Sequence, residues 1–137
     1  MTMRQKKSVA GLVLASALGV AVLAATGVAA RSVMSVVRIE VVVEQMSFRG
    51  VDAANSRDVV ENPTLRVRAG QTVEFVLKSA DRGMKHDLVI PYLDVKLDAV
   101  AFGESTTVRF TAPAPGTYTY FCSMHPKLMR GELIVSE

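Results

Sequence analysis

Apolar and polar residues alternate along most of this chain from residue 36 onward, and no stretch there carries a helical repeat. A period of two puts every second side chain on one face of an extended segment, so it predicts half-buried strands. Val37, Ile39, Val41 and Val43 alternate with Arg38, Glu40 and Val42 in a first strand. Leu65, Val67 and Ala69 alternate with Arg66 and Arg68, and Gly70-Gln71 then turns the chain into Thr72–Lys78, where Val73, Phe75 and Leu77 share a face. Ser79–Gly83 reads as a turn, after which His86, Leu88 and Ile90 alternate with Asp87 and Val89 up to Pro91. Thr106–Thr111 and Thr117–Phe121 are two more strands, separated by the breaker Ala112-Pro113-Ala114-Pro115-Gly116, and Glu132–Val135 closes the series. Gly50–Asn62 is polar and aperiodic and reads as a surface loop with room for one helical turn. Short strands with frequent Gly/Pro punctuation predict an all-β fold, an antiparallel Greek-key β-sandwich, rather than alternating β and α units.

The front of the chain breaks this pattern. Arg4, Lys6 and Lys7 precede Ser8–Ala30, which has no charged residue. A basic start followed by an apolar run is an export signal, and Val28-Ala29-Ala30 fits a signal-peptidase site before Arg31. The run exceeds the roughly 7–15 residues of an ordinary signal core and approaches the ~20 of a membrane helix. Residues 1–30 are therefore expected to be a signal peptide or an N-terminal membrane anchor, and residues 31–137 a single exported domain, periplasmic or otherwise extracytoplasmic. The absence of a Cys near the junction argues against a lipid anchor, and the absence of an Arg-Arg pair favours the general secretion route. Membrane contact is expected only through residues 8–30, if they are retained.

Removing that segment changes the charge. Of 16 Lys and Arg in 137 residues, three belong to it, which leaves 13 against 13 Asp and Glu. The mature domain is formally neutral, so its basic excess does not point to nucleic acid.

One cysteine, Cys122, is present, so no disulfide framework can form within the chain. It sits in Tyr120-Phe121-Cys122-Ser123-Met124-His125-Pro126-Lys127-Leu128-Met129, between the last two predicted strands. A thiolate with an imidazole selects copper or zinc, and a thioether beside them suits copper far better than zinc. A trigonal plane of two imidazoles and a thiolate with an axial Met needs one further histidine, and His86 is the only other one. Each residue alone has an ordinary explanation, since a free Cys or a Met is most often a packing residue. The spacing Cys-x2-His-x3-Met in this strand context, with a single upstream His, favours one copper ion per chain held by His86, Cys122, His125 and Met129.

On these residues the stretch His86–Val135 resembles the C-terminal half of a cupredoxin, a type 1 (blue) copper protein. The run GTYTYFCSMHPKLMRGELIV is similar to the copper loop and last strand of plastocyanin, amicyanin and azurin. The Cys122–His125 spacing matches plastocyanin and amicyanin, and the His125–Met129 spacing matches azurin. The run HDLVIPYLDVKLDAV resembles the dinuclear copper domain of cytochrome oxidase subunit II, but that site needs two cysteines. CSMHPK is similar to nitrosocyanin, a red copper protein with a second loop His and a Glu ligand, a pattern from which His86 and Met129 depart.

The resemblance implies a monomeric electron carrier, not an enzyme, that passes one electron between redox proteins as copper alternates between its cuprous and cupric states. It implies an electron port at the ring edge of His125 and a potential tuned by Met129. The rival readings are a copper chaperone or sequestering protein, for which Met84, Met124 and Met129 leave room, and a nitrosocyanin-like enzyme with an open copper position. Family members often tie the two ligand loops together with a polar side chain, which the sequence does not single out. Arg82, Lys85, Lys127 and Arg130 flank the ligand segments with Asp81 and Asp87. They read as a solvated mixed-charge rim or as a basic collar steering an acidic redox partner. Tyr118 and Tyr120 read as packing residues.

Overall fold

The alternating segments pair as strands in the computed structural model, which describes residues 36–51 and 58–137. The expected signal or anchor segment lies outside the described residues, among which no helix is long and apolar enough to cross a membrane. The strands are β1 (Val36–Glu44), β2 (Ser47–Val51), β3 (Val59–Glu61), β4 (Leu65–Arg68), β5 (Thr72–Ser79), β6 (His86–Ile90), β7 (Val95–Val100), β8 (Ser105–Thr111), β9 (Gly116–Phe121) and β10 (Arg130–Ser136). They form two five-stranded sheets, ordered β3-β2-β1-β5-β8 and β4-β10-β9-β6-β7. The expected sandwich is present. Most neighbours run antiparallel, while β1 with β5 and β4 with β10 run parallel.

The period of two does its work between the sheets. Val41 and Val43 of β1, Val73, Phe75 and Leu77 of β5, and Phe48 of β2 are fully or almost fully buried. They meet Leu65, Val67, Leu88, Ile90, Leu97, Tyr120, Leu133 and Val135 of the other sheet in one apolar cluster. Tyr120 bridges the layers, with its ring centroid 5.5 Å from that of Phe48 in a tilted pair and 6.4 Å from that of Phe75 in an edge-to-face pair of the kind aromatic rings favour. Its hydroxyl donates to the carbonyl of Pro63 at 2.6 Å, as a buried hydroxyl must find an acceptor. Gly131, paired opposite Tyr120, is required there: a Cβ would stand 2.3 Å from the tyrosine oxygen.

One local reading of the sequence is corrected, and two elements it left unassigned are added. Gly50–Asn62 is not wholly a loop, because Gly50 and Val51 finish β2, and Val59–Glu61 form the edge strand β3, paired Gly50 to Val60. Pro91–Leu93, after β6, is a single 3-10 turn. Val95–Val100, likewise unassigned from the sequence, is strand β7. Its buried residues are Val95, Leu97 and Val100, because the register slips where Asp98 and Ala99 oppose Asp87. Such a bulge adds a residue and breaks the period that sequence reading relies on.

The pairing of β6, β9 and β10 places the site. β6 runs antiparallel to β9, so the start of one lies beside the end of the other. β9 and β10 close on the pair Phe121 and Arg130, which leaves residues 122–129 as the loop between them. His86, first in β6, is thereby brought to Cys122, the first residue after β9.

Candidate metal centre

Donor atoms of His86, Cys122 and His125 converge, all lying within 4.8 Å of one another. The Cys122 sulfur is 3.7 Å from Nδ1 of His125. Donors at about 2.0–2.3 Å from a common ion stand roughly 3.5–4 Å apart, so this separation suits a shared metal. The rings of His86 and His125 lie with centroids 5.1 Å apart. His86 and Cys122 are completely buried, while His125 is half-buried and borders a shallow surface groove with Met124, Pro126, Lys127 and Leu128. Met129, at the far end of the loop, is also fully buried and belongs to the apolar cluster.

One feature shows that a cation fits here. Both ring nitrogens of His86 are buried without a hydrogen-bond partner. A buried polar atom left unpaired is costly, and metal coordination would satisfy one of them. Burial pushes the Cys122 thiol above its ordinary value, partly opposed by backbone N–H groups of Asp87, Met124 and His125. Burial likewise holds His86 below its ordinary value, which the carboxylates of Asp81 and Asp87 oppose. A neutral imidazole is the form that binds metal. Thiolate, two imidazoles and a thioether nearby in the chain are a soft donor set that suits copper.

The loop 122–129 holds itself. The Cys122 N–H donates to the Met129 carbonyl at 3.0 Å, and the His125 carbonyl accepts from Leu128 at 3.2 Å and Met129 at 3.0 Å. Two side chains from distant segments pin it further. The Asp87 carboxylate accepts the Ser123 backbone N–H at 2.7 Å and its hydroxyl at 2.5 Å, tying β6 to the loop. Asn62 donates through its side-chain nitrogen to the Leu128 carbonyl at 2.9 Å, while its own oxygen accepts the Phe48 N–H at 3.2 Å. Asp87 is the polar tie between ligand loops that sequence reading left unassigned. Its signal was a charge directly after His86 in an otherwise apolar strand. Asn62 carried no signal.

The expected mixed-charge rim is sorted by the fold. Asp87 is 5 % exposed, and Asp81 turns inward to accept the backbone N–H groups of Gln45 and Met46. Arg82 lies over the ring of Phe102 at 4.0 Å from its centroid. Met84, Met124 and Leu128 are exposed on the ligand-bearing segments.

A two-sheet sandwich with a thiol and two imidazoles gathered at one end is the architecture of a metal–thiolate domain. The chain belongs to the family of cupredoxin-like domains, whose profile matches residues 14–135. Among solved structures it is similar to auracyanin A, a blue copper protein from the green thermophilic photosynthetic bacterium Chloroflexus aurantiacus. That match has 24 % identity and a TM-score of 0.56 and covers 74 % of this chain and all of the other. It is also similar to dithionite-reduced auracyanin from Roseiflexus castenholzii, with 20 % identity, a TM-score of 0.57, and 73 % and 97 % of the two chains covered. A copper nitrite reductase from Nitrosomonas europaea aligns at 24 % identity and a TM-score of 0.53, over 74 % of this chain but 42 % of its own. No curated protein sequence matches.

Proposed function

We propose that this protein is a mononuclear type 1 copper protein that carries single electrons between redox proteins outside the cytoplasm. One copper ion would be held by His86, Cys122 and His125, with Met129 as the fourth ligand. The observation that carries this reading is the convergence of the buried thiol and two imidazoles from segments 36 residues apart in sequence. When bound, copper supplies a one-electron couple. The chain's own residues hold the donors still: loop 122–129 is bonded within itself and anchored through Asp87 and Asn62. Rigid placement disfavours rearrangement between oxidation states, which suits fast transfer. His125, half-buried among exposed Met124 and Leu128, is the ligand nearest solvent and the port for the electron. Lys127 borders the same groove as His125, and Lys85 and Arg130 adjoin His86 and Met129 in sequence, positive charge that would steer an acidic partner. The basic residues before an uncharged run support export.

Copper handling is a second reading, favoured by the exposed thioethers of Met84 and Met124. Copper titration with optical and electron paramagnetic resonance spectra separates the two. A carrier shows an intense sulfur-to-copper charge-transfer band that Cys122→Ser abolishes and His86→Ala alters. A protein that binds only colourless Cu(I), or a His86→Ala variant with an unchanged spectrum, defeats the carrier reading.

A further inference from the structure

His86 presents one unexplained nitrogen. Whichever ring nitrogen faces the converging donors, the other is buried and needs a partner of its own. Nε2 lies 3.4 Å from Oδ2 of Asp81. This is longer than a good N–H···O bond, yet no other acceptor pairs with the ring among the described residues. Asp87, the other carboxylate acting on His86, has both oxygens engaged by Ser123.

Asp81 is itself held from a third segment. Its Oδ1 accepts the Gln45 N–H at 2.7 Å and its Oδ2 the Met46 N–H at 3.0 Å. Gln45 and Met46 form the two-residue turn between β1 and β2, with φ of 52° and 61°. Left-handed backbone at two consecutive non-glycine residues is unfavourable unless something fixes it. The carboxylate does so, and the turn in turn fixes the carboxylate. Only a carboxylate accepts both N–H groups: an amide in its place would present an NH2 to one of them.

We infer that Asp81 is a positioning residue for His86: it holds the ring proton on Nε2 and so leaves Nδ1 bare for the metal. A carboxylate behind a ligating imidazole fixes the tautomer and ring orientation and makes the ligand more basic. Its negative charge favours Cu(II) over Cu(I). The β1–β2 turn thereby becomes part of the metal centre, although it lies in the opposite sheet from β6 and contributes no ligand.

The inference rests on the copper reading above, but its first test needs no metal. Long-range 1H–15N spectra of the 15N-labelled, metal-free wild type report which nitrogen of neutral His86 carries the proton. The expected result is the Nε2–H form in the wild type and loss of that preference in Asp81→Asn. The second test is Cu(II) affinity and reduction potential. Asp81→Asn should bind Cu(II) 10–100-fold more weakly, and if Cu(I) binding is unchanged its potential rises by about 59–118 mV, at 59 mV per tenfold. A wild-type ring protonated on Nδ1 overturns the inference. So does an Asp81→Asn protein that melts earlier but keeps the wild-type tautomer and potential, since the carboxylate would then serve only the turn. An Nε2–H ring in a protein that takes up no copper would support the hold of Asp81 while sinking the copper carrier.

Discussion

Replacing Asp87 with alanine should loosen the metal loop while leaving all four proposed ligand residues in the chain. The carboxylate is 5 % exposed and accepts two hydrogen bonds from Ser123, at 2.7 Å from the backbone nitrogen and 2.5 Å from the hydroxyl. Hydrogen bonds to a charged group contribute about 1.5–3 kcal/mol each. Ser123 is exposed, so both of its donors can turn to water once the acceptor is gone, and the low end of that range applies. Two such bonds give a loss of roughly 3 kcal/mol. For a domain of about 100 residues, where 1 kcal/mol moves the midpoint by about 4–8 °C, the melting temperature should fall by more than ~10 °C. Asp87→Asn is the control. Its oxygen can still accept the Ser123 N–H and its NH2 can donate to the hydroxyl, so it should lose less than half as much. Thermal melts of the metal-free proteins followed by circular dichroism read the stability difference, and copper spectra read the site. If Asp87→Ala melts with the wild type and keeps its charge-transfer band unshifted, the tie between β6 and the loop is not what organises the donors.

Three further predictions concern the axial ligand, the buried donors and the core. Met129→Gln should retain a coloured copper site at a lower reduction potential, because a harder axial oxygen stabilises Cu(II); an unmoved potential removes Met129 from the ligand set. Stability of the metal-free protein should be greatest between about pH 6.5 and 9.0, the ordinary values of the two buried donors. Below 6.5 the unfolded chain protonates His86 while the fold resists, and above 9.0 it ionises Cys122 while the fold resists, so stability falls on both sides. Denaturant titrations across pH check this, and an alkaline limb unaffected by Cys122→Ala would contradict it. Gly131→Ala should cost about 2–4 kcal/mol, since its Cβ meets the buried Tyr120 ring and displaces the hydroxyl from Pro63; a melt within a few degrees of wild type would show that the ring is free to move.

The cluster of His86, Cys122 and His125 was legible because the chain has one Cys and two His, leaving little choice once the Cys-x2-His spacing was seen. β1 and β4 were legible because each buries one face only, and β5 because Val73, Phe75 and Leu77 alternate with polar residues at all but Val76. β7 was hidden by its bulge, which sets Leu97 and Val100 three apart. β2 was partly hidden by Gly50, whose small size reads as a turn but serves close packing: a Cβ there would lie 3.1 Å from Pro63 and 3.2 Å from Val41. β3 is three residues of edge strand, set by its pairing with β2 rather than by any pattern of its own. Asp81 and Asp87 were read as surface charges because their partners, Gln45, Met46 and Ser123, lie 35–36 residues away and are brought near only by the fold.

The complete burial of Cys122 has a consequence for how the protein ages. Thiols are lost to oxidation as exposed thiolates, through sulfenic acid or mixed disulfides. A thiol with no exposed surface and a raised pKa is shielded on both counts. Burial therefore protects the chain's only thiol under oxidising conditions. In the proposed copper site, the same shield would stand between an incoming ion and the sulfur, so that uptake would need transient opening of residues 122–129.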